Sequence, residues 1–309
     1  MTAVVCVLAT TWLWSLIPLA VKVAYTSFNP AFIAFARLVG GTLVFAVVEI
    51  ASGRKLRIPP AKSPVDLPGP KWIRFRGWIA IAAVGISGDL LLYTLGLRYT
   101  TASAATLIVS TDGVMMALLG VVVLGERMSW FKASAAVTAL TGLFLVNWNG
   151  QDLSALLASR YLLGNVLVLC AACCFATYGL GQRALAKAPG GTLLPVFLLA
   201  SALASVAAAA QPAAHAPVTV PAALSLAFLG LVATGLAYIL LVKGMARLEA
   251  ATAGLLASTL PLFTMVEAHF VLGERITPYL VAGAALVIAG VSLIMTHQRI
   301  YGEGEVSPA

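Results

Sequence analysis

The stretch VVVLGERMSW (residues 121–130) returns later in the chain as HFVLGERITP (269–278). Each writes Leu-Gly-Glu-Arg directly after an apolar run, with Ser129 or Thr277 two residues beyond the arginine. Gly125 and Gly273 suit the left-handed residue that ends a helix. Ser129 and Thr277 suit the cap of a following helix, and Pro278 suits its first turn. Each stretch therefore reads as a tight turn between two antiparallel helices. Glu126 with Arg127, and Glu274 with Arg275, are expected to reach the headgroup region.

Setting Gly125 on Gly273 aligns the two halves of the chain at a fixed offset of 148 residues. Ala102, Ala105, Leu107, Ser110 and Thr111 then fall on Ala250, Ala253, Leu255, Ser258 and Thr259, while Gly96 falls on Gly244 and Gly142 on Gly290. The chain thus repeats itself, and what solvent surrounds the repeat follows from composition. Of 309 residues, 61% are hydrophobic and only 10% charged, and the mean hydropathy is +0.99. A soluble domain is about half apolar and about a quarter charged. This chain cannot hide so much apolar surface inside itself, so lipid is its solvent. The net charge of +8 does not indicate nucleic acid, because the basic residues sit between apolar runs.

A helix needs about 20 apolar residues to cross the hydrocarbon. Ten segments qualify: 3–24, 30–51, 75–97, 101–124, 128–147, 162–186, 191–210, 221–245, 249–272 and 277–296, taken below as the first to tenth spans. The alternating pattern of a β-barrel is absent. The first span has no charged n-region and reads as a retained helix. Connections are short except for residues 52–77, whose prolines and charges make a solvated loop. Orientation follows from Lys and Arg. Of the 19, Lys22, Arg98, Arg160 and Arg275 fall on one side and Arg37 lies within a span, leaving 14 on the other. That side is assigned to the cytoplasm, with both termini. The expected fold is an all-α integral membrane protein of ten transmembrane helices, built as two inverted-topology five-helix repeats. Residues 1–150 form the first repeat. Residues 151–309 form the second, with a short cytoplasmic tail, and together they make one membrane domain. Five crossings per half turn the second half upside down, an architecture typical of secondary transporters.

The order of these features resembles the EamA-type branch of the drug/metabolite transporter superfamily. The resemblance covers essentially the whole chain and rests on Leu-Gly-Glu followed by a helix with a late glycine (Gly142, Gly290), found twice. Trp14-Ser15, the Phe35-Ala36-Arg37 triplet and Pro261 support it. One departure stands out: where the family shows proline in both equivalent helices, Pro261 is matched by Gly113, preceded by Asp112. A bend is expected there too, because glycine also loosens a helix. The resemblance implies a small-metabolite exporter. Amino acids, aromatic ones included, lead, and drugs or nucleotide-sugars are the alternatives.

Ionisable groups within a span are costly and mark candidate functional positions. Arg37, Asp89, Asp112, Glu267 and His269 qualify as coupling or gating residues, with Gly113 and Pro261 as bending points. Each has a plainer reading. Arg37 either pairs with a carboxylate such as Asp89 to fix packing or serves the pathway. Asp112 either caps bent backbone or carries a coupling proton, a role open to Asp89 as well. Glu267 and His269 either sit at a wet outer mouth or gate it.

Trp14, Tyr93, Tyr178 and Tyr238 lie deep in their spans and are candidates to line a cavity for an amphipathic solute, against the plainer reading of packing or lipid contact. Pro18, on the same face as Trp14, favours a broken first helix. Ser110 and Thr259 complete the candidate substrate-binding set. Tyr99 and Trp78, near span ends, fit the interfacial belt. The small residues of the fifth and tenth spans suit close helix packing, as scaffold or as a dimer contact, leaving monomer and homodimer both open.

Cys170, Cys173 and Cys174 share a helix face, but no His or carboxylate stands at ligand spacing, so they read as packing residues and no metal is expected. No cofactor is expected either, and no nucleotide-binding P-loop pattern is present to drive transport with ATP. Three scattered histidines and no paired-carboxylate motif argue against an enzyme. A channel would not need paired bending helices. The favoured reading is a multi-pass inner-membrane secondary transporter working by alternating access, with the small-molecule substrate and the bilayer as its partners and protons as a candidate coupling ion.

Overall fold

The computed structural model describes residues 2–52, 75–112, 115, 119, 130–148, 160–185, 192–245, 256 and 259–301. Helix occurs in all ten expected spans. The first is two helices, Thr2–Ser15 and Ile17–Ala24, parted at Leu16 with Pro18 in the first turn of the second. A proline inside a helix removes a donor and crowds the carbonyl four residues back, which breaks the helix here. Pro30–Ala51 and Phe75–Gly96 are continuous. Thr101 opens Ala102–Val109 by accepting the Ala104 N–H. Trp130–Trp148, Arg160–Leu185 and Leu193–Ala209 follow. The eighth span begins as Val220–Ala227, widens to a π-helix over Phe228–Leu236, and resumes as Ala237–Met245. Leu260–Leu272 and Pro278–Tyr301 complete the set.

Among the described residues, five helical stretches are individually long and apolar enough to cross a membrane: Ala3–Ala24, Pro30–Ala51, Phe75–Gly96, Tyr161–Gln182 and Val220–Gly244. No strand occurs among the described residues; an isolated bridge, Phe28 to Ala214, ties two connections together. The protein is an all-α membrane protein.

Between the ninth and tenth spans the chain turns as expected. Gly273 takes φ 68°, the left-handed residue that closes the helix, and the Thr277 hydroxyl accepts the Leu280 N–H at 3.2 Å. Its counterpart, with Glu126 and Arg127, lies outside the described residues.

The helices pack through glycines. A Cβ on Gly96, in the third span, would lie 2.7 Å from Val168 Cγ2 and 2.9 Å from the Gly164 carbonyl of the sixth. A Cβ on Gly244, at the matching place in the eighth, would lie 2.6 Å from Val7 Cγ2 and 3.2 Å from the Ala3 carbonyl of the first. The same close approach is made twice by different helices. Gly40 meets Gly230, bringing the second span onto the π-helix, and Gly142 meets Gly283 and Val287, joining the fifth span to the tenth.

One apolar cluster runs from Phe45, Trp78 and Ile86 through Tyr178 to Phe197 and Tyr238. A second gathers Val21, Ile33, Leu97, Ile108 and Leu229. Trp78 departs from the interfacial expectation: it is 1% exposed. Its place near a span end suggested the belt, but its face of the helix is turned into the bundle.

Candidate functional site

Irregular backbone at membrane depth gathers the polar groups. At the fourth span the Thr111 N–H donates to the Ile108 carbonyl at 3.0 Å, and its hydroxyl donates to the same oxygen at 2.6 Å. At the ninth the Thr259 N–H donates to the Leu256 carbonyl at 3.3 Å, and its hydroxyl to that oxygen at 2.7 Å. One turn on, Met115 N–H donates to Thr111 O and Phe263 N–H to Thr259 O. All three pairs of bonds are related by the 148-residue offset. The helices tighten at matched positions, and Pro261 stands in the first turn after the second of them. Gly113 lies outside the described residues.

The break in the first span faces the ninth. Thr264 Oγ1 lies 3.2 Å from the Ser15 carbonyl. Ser15 Oγ lies 2.7 Å from the Trp12 carbonyl and 3.0 Å from Glu267 Oε1. Its single hydrogen serves one of these at a time, so both are satisfied together only when Glu267 carries a proton. Glu267 Oε2 is buried without a partner.

Just inside that break, Trp14 donates its indole N–H to the Ala233 carbonyl of the π-helix at 3.0 Å. Its ring centroid is 5.5 Å from that of Tyr238, which lies 5.3 Å from Phe197 and 6.1 Å from Tyr178. Trp14, Tyr178 and Tyr238 are thus brought together, while Tyr93 packs in the second apolar cluster. Phe197, the ring that Tyr178 and Tyr238 share, and the π-helix behind Trp14 were not anticipated: a buried Phe in an apolar run looks like any other, and a π turn has no composition signal.

Arg37 is 5% exposed, and its Nε and Nη1 are buried without hydrogen-bond partners. Asp89, Tyr93, Tyr238 and Tyr25 are the ionisable groups within electrostatic reach of it. No described carboxylate approaches it within ion-pair distance; Lys22–Glu274, at 3.1 Å, is the one ion pair among the described residues. The expected Arg37–Asp89 pair is therefore one of neighbours not in contact. Tyr93 is buried within electrostatic reach of both. Asp112 is within electrostatic reach of Asp89, and its Oδ1 is buried with no partner, so that oxygen caps no backbone. Ser110 spends its hydroxyl on the Thr106 carbonyl at 2.8 Å, as Thr259 does on its own helix. Pro18 and Pro261 are buried at the two breaks.

Two residues of the second turn serve other ends. His269 is exposed and its Nδ1 lies 2.9 Å from the Glu274 carbonyl, so it braces the turn. Glu274 reaches the start of the fourth span, a contact the turn motif did not announce. It accepts the Ala102 N–H at 2.7 Å, the Ser103 N–H at 3.1 Å and the Ser103 hydroxyl at 2.8 Å. Burial alone would raise its pKa, but these donors and Lys22 together hold it below the usual glutamate value.

A membrane protein of apolar spans, with charged and aromatic groups enclosed beside broken helices, has the build of a solute transporter. The EamA-like transporter family matches residues 1–148 and 162–296, and the chain belongs to that family. It is 26% identical over 278 residues to a probable terminal-alkyne amino-acid exporter of Streptantibioticus cattleyicolor, covering 89% of this chain and 87% of that protein. It is 24% identical to the uncharacterized inner membrane transporter YhbE of Escherichia coli, over 96% of this chain and 91% of that one. An uncharacterized transporter of Archaeoglobus fulgidus is 28% identical over 72% of this chain and 78% of its own. A solved crystal structure superposes with a TM-score of 0.66 at 19% identity, covering 98% of this chain and 99% of that one; at that identity it speaks for the fold alone.

Proposed function

We propose that the protein is a secondary carrier that exports amino acids, aromatic or otherwise apolar, across the inner membrane by alternating access. In this reading residues 1–150 and 151–309 are inverted repeats, both termini are cytoplasmic, and the two helix bundles rock about a site between them. The observation that carries it is the enclosed cluster of Trp14, Tyr178 and Tyr238 beside Arg37, Asp89 and Asp112. Rings accept an apolar side chain, and charges of both signs suit a zwitterion. The helix interruptions related by 148 residues supply hinges on two sides of that site. The amino-acid exporter among the relatives points to the same substrate class. Asp89, Asp112 and Glu267 are the groups available to carry a coupling proton.

Counterflow in proteoliposomes tests this. Vesicles preloaded with unlabelled apolar amino acids take up labelled amino acid saturably, and an imposed pH gradient changes the rate. Asp89→Asn and Asp112→Asn remove the gradient response for whichever residue carries the proton. Vesicles that hold folded protein and exchange no amino acid rule out the substrate class. Unchanged gradient response in both variants leaves Glu267 as the remaining candidate, tested as Glu267→Gln.

A further inference from the structure

An arginine enclosed in an apolar bundle is strongly destabilising unless its charge and donors are met. Arg37 is so enclosed, yet two of its three guanidinium nitrogens have no partner, and the neighbouring Asp89 does not approach within ion-pair distance. Surface arginines with loose ends are met by water; this one is 5% exposed. It is also next to the aromatic cluster: Tyr238 contacts Trp14, Tyr178 and Phe197, packs in one apolar cluster with Ala34 and Leu38 of the Arg37 helix, and lies within electrostatic reach of Arg37.

We infer that Arg37 is the receptor for the carboxylate of the transported solute, with Asp89 and the tyrosines setting its position before the solute arrives. This deepens the amino-acid reading and rests on it. The chemistry demands an oxygen anion. A planar guanidinium presents N–H donors in a fixed fork that matches a carboxylate, and the bond strengthens where water is excluded. A ring or alkyl group on the same molecule then lies against Trp14, Tyr178 and Tyr238. The solute class is therefore a small monocarboxylate with an apolar side group. Loss of the carboxylate matters more than loss of any part of the side chain, because it leaves the buried charge unmet.

The test uses folded wild-type protein in proteoliposomes. L-phenylalanine, L-leucine, L-phenylalaninamide and phenethylamine compete for labelled amino-acid exchange. The last two lack the anionic group but keep the ring. Each is expected to compete at least about tenfold more weakly than L-phenylalanine. In Arg37→Gln that preference collapses towards equality, while Arg37→Lys, which keeps the charge but not the fork, retains part of it. If the amide competes as well as the parent amino acid in wild-type protein, the assignment of Arg37 fails and the amino-acid reading stands. If folded wild-type protein exchanges no amino acid at all, both fail. Arg37→Gln protein that still exchanges amino acids with the full preference for a carboxylate also overturns the assignment. The wild-type comparison holds even if neither variant folds.

Discussion

Replacing Glu274 tests the contact that sequence reasoning did not foresee. Its carboxylate accepts two backbone N–H groups and one hydroxyl from Ala102 and Ser103, and pairs with Lys22 at 3.1 Å. Its side chain is 12% exposed, and that of Lys22 26%. Hydrogen bonds to a charged group contribute about 1.5–3 kcal/mol each and are not additive, and loss of a helix cap costs about 1 kcal/mol. Glu274→Ala, which leaves two N–H groups and a half-buried ammonium without their acceptor, is expected to cost about 3 kcal/mol. Glu274→Gln keeps one acceptor oxygen and should cost about half as much. Thermal unfolding of purified protein in detergent should show the alanine variant melting roughly 5–10 °C below wild type, using the ordinary proportion between free energy and melting point. A double cycle with Lys22→Ala should show coupling between the two residues. The sign of the pH effect follows from the depressed pKa of Glu274. Its contribution is fully present above the unfolded glutamate value of about 4.5 and is lost as pH falls through the lower folded value. The gap between wild type and Glu274→Gln should be flat from neutral pH to about 5 and close in stronger acid. An alanine variant that melts with wild type, or a gap that widens in acid, refutes the reasoning.

The glycine contacts make a sharper packing test. Gly142→Ala would press a methyl to 2.7 Å from the Gly283 carbonyl, and Gly96→Ala one to 2.7 Å from Val168 Cγ2. Each should cost about 1–3 kcal/mol, read as a lower melting temperature. The Gly96→Ala loss should shrink but not vanish when Val168→Ala is added, because the methyl at 2.7 Å is removed while the Gly164 carbonyl at 2.9 Å stays. Trp14→Phe keeps a ring beside Tyr238 but loses the indole donor to Ala233. It should retain exchange with weakened apparent affinity for solute, whereas Trp14→Ala should lose more than the phenylalanine variant; equal kinetic constants for both would remove Trp14 from the site.

Much of the architecture was legible because lipid imposes simple rules. A run of about 20 apolar residues must be helix, since an unpaired backbone group has no partner in hydrocarbon. Turn chemistry was equally local: Gly273 and Thr277 do what glycine and threonine do at helix ends. Pro18 announced the break at Leu16 for the same reason. Which face of a span turns inward was much less legible. In a soluble helix the apolar stripe marks the core, but here lipid and core both take apolar residues. Trp78 and Phe197 are buried in the bundle while Trp12 and Phe270 face outward, and nothing in their neighbouring residues distinguishes the two pairs. Long-range pairing was hidden as well. Glu274 and Ala102 are 172 residues apart, and a turn motif cannot say where its carboxylate will point.

Where the backbone departs from α-helix is itself informative. Non-helical backbone at membrane depth is tolerated only where protein or an enclosed cavity satisfies it. The described departures are the break at Leu16, the tightened turns at Thr111 and Thr259, and the π-helix over Phe228–Leu236. Each is met by a polar partner from its own or a neighbouring span. Ser15 O receives the Thr264 hydroxyl, Ala233 O the Trp14 indole, and Leu229 O the Thr234 hydroxyl at 2.8 Å. Two of these links run from one span to another beside a break. Such links can be exchanged for others with little net change in energy, because a hydrogen bond's net contribution is only about 1 kcal/mol. Regular helix in the second and third spans has no such freedom. In the alternating-access reading proposed above, motion has its cheapest route through the first, fourth, eighth and ninth spans. Three of these four bring Trp14, Asp112 and Tyr238 to the enclosed cluster, so in that reading a change at the proposed solute site and a change in helix geometry are made by the same residues.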